Sequence, residues 1–215
     1  MNVGGATARS GDGKRALPSL EKAFSVMKSI ADHDPANHEA QRDVADAEEY
    51  LGIGYDALGD TRQALQHYGR AIAILEPLNA ADTQNVEFRE QAFRLQRVVG
   101  DLSVKAGNYP GGLRAYSTAL QFAQDFPDDN SPQLKLFMLG EARESLGRYY
   151  EALASAPGTS VPARAANWRA ALSYYQAALA GFLDAQQRQM LSAVYSYKPD
   201  LLRREIAGCE AALKN

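Results

Sequence analysis

The stretch Leu51–Ala71, LGIGYDALGDTRQALQHYGRA, reads as two helices joined by a tight turn. Gly52, Ala64 and Ala71 are small and mark where the helices approach closely. Leu51, Tyr55, Leu65 and Tyr68 are large and fill the space between them. Gly59 suits the left-handed cap that ends a first helix. Asp60 followed by Gln63 has the form of a capping box that opens a second.

The rest of the chain repeats this unit. Gly4, Gly52 and Gly100 are spaced by 48 residues, as are Gly11, Gly59 and Gly107. The same spacing relates Asp12, Asp60 and Asn108, then Leu17, Leu65 and Leu113, and then Leu20, Tyr68 and Tyr116. It relates Ala23, Ala71 and Ala119, and Asp34, Asp82 and Asn130. A fourth copy starts 40 residues on, at Leu139-Gly140 and Gly147. Its second half, Ala171-Leu172, Tyr175 and Ala178, comes about 19 residues late. Few breakers fall between the turns, so the long period predicts long helices.

The spacing predicts helices over roughly 12–33, 37–58, 60–79, 85–106, 109–126, 132–156, 164–189 and 199–214, with Gly4 placing the first ten residues at the end of a helix. Asp34-Pro35 ends one helix and Asn37 can cap the next. Pro110 falls in a first turn, where proline is tolerated. Phe126–Asn130 is a turn and Ala156–Pro162 a loop. In the last segment Leu202, Ile206, Cys209 and Leu213 form one apolar stripe, with Arg203, Arg204 and Glu210 opposite. One apolar and one polar face is what the terminal cap of a solenoid requires.

The 215 residues are 46% hydrophobic and 23% charged, enough for a continuous core. A net charge of -3 and a pI near 5.7 speak against a general nucleic-acid binder. A single cysteine excludes an internal disulfide framework. No apolar run reaches the roughly 18 residues of a membrane span, and MNVGGATARSGDGKR lacks the apolar core of a signal peptide. A cytoplasmic protein is the expectation.

Leu51-Gly52 with Tyr55, then Ala64 with Tyr68, resembles the tetratricopeptide signature, with Glu48 where the signature has tryptophan. The turns at Leu51-Gly52 and Val99-Gly100 are similar to the long bacterial form of that repeat. Trp168-Arg169, Tyr174-Tyr175-Gln176, Lys198-Pro199-Asp200, Glu205-Ile206-Ala207 and Cys209–Leu213 resemble the C-terminal ends of certain bacterial serine/threonine protein kinases. Those proteins carry a kinase domain followed by an array of such repeats. This chain has no glycine-rich phosphate loop followed by a catalytic lysine, and no HRD or DFG run. The resemblance implies an all-α, right-handed α–α superhelix of about 3.5 helix-turn-helix repeats. These are a half-repeat at 1–35, repeats at 36–83 and 84–131, a repeat with an inserted loop at 132–190 and a capping helix at 198–214. Repeat one begins in mid-helix, so the chain is expected to be the C-terminal piece of something longer, the alternative being a degenerate start.

Residues that could carry chemistry read as structural. His33 and His38 flank Pro35 with no third ligand at metal spacing, and His67 is taken with them as a helix-end histidine. Cys209 lies on the apolar stripe as a buried thiol. Ser10–Lys14 lacks the phosphate-loop pattern and reads as a turn. Glu48, Glu49, Glu141 and Glu144 read as a solvated face. With no clustered nucleophile and base, no enzyme, cofactor or metal site is expected.

In tetratricopeptide proteins the first helix of each repeat lines a concave groove that holds extended peptides. The resemblance therefore implies groove positions at Asp46, Glu49, Ile53 and Asp56, at Arg94, Arg97, Asp101 and Lys105, and at Leu134, Phe137, Glu141 and Glu144. Some members clamp a C-terminal carboxylate with lysine, asparagine and arginine there. Glu49, Ile53 and Asp101 depart from that pattern, so an Hsp90-type or Hsp70-type tail is not the expected ligand. The expected partner is another protein or peptide segment, neither nucleic acid nor membrane. Its acidic stretch would meet Arg94, Arg97 and Lys105, and its apolar anchor would meet Ile53, Leu134 and Phe137. The function so read is that of a scaffold, the non-catalytic arm of a bacterial signalling protein. The alternative is a homodimer formed through the uncapped N-terminal edge.

Overall fold

The computed structural model describes residues 13–83, 85–127 and 131–214. Gly4, Gly11, Asp12, Asn130 and the expected opening helix end lie outside them. Among the described residues the fold is all-α. The helices are α1 (Gly13–His33), α2 (His38–Ala57), α3 (Thr61–Ala81), α4 (Val86–Lys105), α5 (Tyr109–Gln124), α6 (Pro132–Ser155), α7 (Val161–Gln187) and α8 (Lys198–Ala212). A short 3-10 turn, Ala193–Tyr195, precedes α8. The chain folds as two compact units, Met1–Leu102 and Ser103–Asn215, divided near the end of α4.

Local chemistry sets the helix ends. Asn37 accepts a hydrogen bond from the Ala40 amide and Asp60 one from the Gln63 amide, each at 3.0 Å. Asn108 accepts from the Gly111 amide at 3.1 Å. These caps satisfy donors that a helix start otherwise leaves unpaired. Gly59 and Gly107 take φ of +78° and +76°, the left-handed conformation that glycine adopts at least cost. The long period is spent on helix length: α2, α3 and α4 have 20, 21 and 20 residues. Val161 and Pro162 differ from expectation. They open α7, with Pro162 in the first turn, and the loop is shorter by two residues.

In the first unit α1 packs on α2 and α2 on α3, consecutive helices antiparallel across short turns. A Cβ on Gly52 would come within 2.8 Å of the Tyr68 ring, so the missing side chain is what seats that ring. Burying a ring of this size contributes on the order of 2 kcal/mol. Ala64 and Ala71 are fully buried. Gly13, from the turn that superficially looked like a phosphate loop, lies so close to α2 that a Cβ there would sit 2.3 Å from the Gly54 carbonyl oxygen.

In the second unit α5 packs on α6, α6 on α7 and α7 on α8. The displaced fourth copy has a physical explanation. Gly147, the counterpart of the turn glycines Gly59 and Gly107, lies inside α6. A Cβ there would meet the Tyr175 ring at 2.5 Å, and one on Gly140 would meet Phe182 at 2.6 Å. The helix runs on past the point where earlier repeats turn, and the ring-to-glycine contact recurs one step further along. Tyr175 is buried, and its hydroxyl donates to Glu151 at 2.7 Å. On α8 Leu202 and Cys209 are buried, Ile206 packs beside them, and Arg203, Arg204 and Glu210 face outward. Burial, with Glu151 and Glu205 nearby, pushes the Cys209 thiol up to about 11, as befits a packing residue.

Candidate functional site

The groove positions of the first unit come together on α2 and α4. Arg42, Asp46 and Glu49 follow one another at helical spacing on α2, and Glu87, Gln91 and Arg94 do so on α4. They pair rung by rung, each 45 residues apart. Arg42 donates to Glu87 at 2.5 Å. Gln91 donates to Asp46 at 2.5 Å and to Glu49 at 3.2 Å. Arg94 grips Glu49 with both terminal nitrogens, the second contact at 2.9 Å. The rungs climb both helices in the same sense, as first helices of successive repeats must.

Glu49 is therefore no solvated residue. It is buried, and two donors on α4 satisfy it. The hydrogen bond to Glu49 also holds the Arg94 guanidinium charged. Asp46 lies above the ordinary carboxylate range, first because of burial and partly because of Glu49, with the Gln91 hydrogen bond opposing.

The expected basic patch does not survive this pairing. Arg94 is committed to Glu49, and Arg97 lies over the Phe93 ring at 5.5 Å. Asp101 and Lys105 are exposed, Asp101 in the first unit and Lys105 in the second. Two apolar groove contacts are corrected as well. Ile53 is half-buried against Ala16, Leu20 and Leu51. Phe137 is half-buried against the second unit's core, with its ring 4.1 Å from that of Tyr195. Both serve their own units.

The other glutamates are buried too. Glu48 meets His67 Nδ1 at 2.6 Å, and His67 stacks on Tyr55 at 5.0 Å. His67 is thus a mid-helix partner of a buried carboxylate and not a helix-end residue. Glu141 and Glu144 enclose Lys198 at 2.5 and 2.7 Å, and Arg148 adds a contact to Glu144 at 2.9 Å. Burial alone would push the Lys198 ammonium down. The bonds to Glu141 and Glu144 outweigh it, and the group lies above the ordinary lysine value. Sequence reading missed this clamp, although one signal was available. Lys198 opens α8, where the helix dipole disfavours a cation.

Beside the α2–α4 ladder lie two cavities, of about 270 and 580 Å³. The smaller is lined by Arg42, Asp46, Glu87, Glu90, Gln91 and Arg94. The larger continues from it through Arg42 and Glu87 to Glu39, Asp82 and Phe88. The Arg42 Nε–H is buried with no hydrogen-bond partner among the described residues. Carboxylates outnumber cations on these walls. No group of three or more His, Cys, Asp or Glu among the described residues is placed to hold a metal ion. No helix among them is long and apolar enough to cross a membrane.

No protein-family model and no curated protein matches the chain. Among solved structures, BtubC (BKLC) from P. vanneervenii is similar at 13% identity and a TM-score of 0.42, over 94% of this chain and 92% of that one. A likeness of that degree leaves the function to be argued from the chain's own residues.

Proposed function

We propose that the chain is a protein-interaction module whose α2–α4 face holds a segment of another polypeptide. The acid-rich cavity carries this reading. Its two arginines are engaged with Glu87 and Glu49, while Glu39, Asp46, Asp82, Glu87 and Glu90 line its walls. A segment bearing lysine or arginine would relieve the charge of the half-buried Asp46, and a carbonyl on it could accept from the Arg42 Nε–H. The partner so described is basic, opposite in sign to the one the arginines suggested in sequence. The resemblances to tetratricopeptide repeats and to kinase tails support a place as the non-catalytic arm of a larger bacterial signalling protein.

Selection from a displayed library of short peptides tests it. Enriched sequences should be basic, should release with added salt, and should bind the Asp46→Asn/Glu90→Gln variant at least tenfold more weakly. Enrichment of acidic peptides, or binding indifferent to those substitutions, sinks the reading.

A further inference from the structure

A cavity of about 380 Å³ opens between α1, α2 and α3. Phe24, Ala31, Val44 and Ile74 give it apolar walls. Val44 and Glu48, one turn apart, reach it from another face of α2 than the one that meets α4. Two opposite charges stand in the cavity without satisfying each other. Glu48 is buried, and His67 takes its Oε2 at 2.6 Å. The Arg70 guanidinium lies 4.0 Å from Glu48 Oε1, beyond hydrogen-bonding distance, and makes no hydrogen bond to another described residue. Lys28 and Asp32, at the rim, close on each other at 2.8 Å. The repeat does not require this arrangement. At the 48-residue spacing Glu48, His67 and Arg70 correspond to Gln96, Ala115 and Thr118. The first unit thus carries a buried carboxylate, with its desolvation cost, that the next copy does without.

We propose that this cavity binds a free α-amino acid with a bulky apolar side chain. Such a molecule carries an ammonium and a carboxylate on one carbon, which matches two opposite protein charges set side by side. Its ammonium donates to Glu48 Oε1, and its carboxylate accepts from the fork of Arg70. The Arg70 side chain is 58% exposed, so it is free to draw back and admit the ligand. The ligand's side chain lies among Phe24, Val44 and Ile74, where an aromatic ring meets Phe24 edge to face. Zero net charge on the ligand also keeps the balance of Lys28 and Arg70 against Asp32 and Glu48. An anion would leave Glu48 Oε1 unsatisfied, and a cation would leave Arg70 so. The cavity is separate from the α2–α4 ladder, so this proposal and the binding of a basic segment can fail independently.

Titration of the nitrogen-15-labelled whole chain with L-phenylalanine, followed by amide shifts, tests the proposal. A ligand this small predicts a dissociation constant on the order of 0.1–1 mM, with the shifts centred on the cavity-lining residues of α1, α2 and α3. Hydrocinnamate, which lacks the ammonium, and phenethylamine, which lacks the carboxylate, should each bind at least tenfold more weakly. Arg70→Gln and Ala73→Trp both fall at exposed positions on the cavity wall. Each should keep the wild-type circular dichroism and bind phenylalanine at least tenfold more weakly. No saturable shift at ~10 mM phenylalanine overturns the proposal. So does either analogue bound as tightly as the amino acid, which would make the cavity a site for a simple anion or cation. Wild-type affinity in Arg70→Gln, or shifts centred on other helices, overturns it too.

Discussion

Replacing Lys198 with methionine tests whether the second unit is held by a buried ion cluster. The side chains of Lys198, Glu141 and Glu144 are 7%, 8% and 4% exposed, so removing the ammonium leaves two carboxylates poorly reached by water. Breaking a buried pair from one side costs about 3–5 kcal/mol. Arg148 still reaches Glu144, which places the expectation at the lower end, about 3 kcal/mol. For a chain of this length, each kcal/mol moves the melting temperature by about 2–4 °C, so a fall of roughly 6–12 °C is expected by calorimetry. A triple variant, with Glu141→Gln and Glu144→Gln added, should recover most of the loss, because the cost lies in the stranded charge and not in the lost contact. The lysine's raised pKa also fixes the pH window. Its contribution is fully present below the ordinary lysine value of 10.5 and is lost as pH rises past the higher folded value. The single variant should therefore lose less stability than wild type as pH rises above 10.5. A single variant melting within 2 °C of wild type, or a triple variant worse than the single, would refute the reasoning.

Two further outcomes follow from packing. Gly147→Ala places a methyl 2.5 Å from the Tyr175 ring and should cost about 1–3 kcal/mol, whereas Gly69→Ala, with open space around it, should stabilise by about 0.5–1 kcal/mol; equal effects in thermal melts would show that the α6–α7 register is wrong. Deleting residues 198–215 removes the cover that Leu202 and Cys209 provide, together with Lys198, and should give a protein that aggregates in light scattering; a stable monomer would show that α8 is no cap.

Where a residue's role depends on its neighbours in sequence, it could be read directly. The turns at Gly59 and Gly107 and the caps at Asn37, Asp60 and Asn108 use atoms within a few positions, so helix boundaries were legible to within three residues. The groove was legible only as a face. Arg42, Asp46 and Glu49 share a side of α2 by spacing alone, but that they meet Glu87, Gln91 and Arg94 depends on how far α4 slides along α2. That slide turned an expected basic patch into an acid-rich cavity. His67 and Phe137 were misread for the same reason, since Glu48 and Tyr195 reach them only across helix packing.

The sequence by itself determined an all-α chain of repeated helix pairs, because a 48-residue recurrence of glycines, alanines and large apolar residues allows one pattern of close contact, and it marked α8 as one-sided. Tertiary structure alone decided which charges are spent. A glutamate looks the same in sequence whether it faces water or a buried cation, and the difference lies in whether Arg94 and Lys198 arrive within hydrogen-bonding distance. It also decided which contact the late fourth repeat keeps, with Gly147 seating Tyr175, because a helix that runs past the point where earlier repeats turn carries its contact surface along with it.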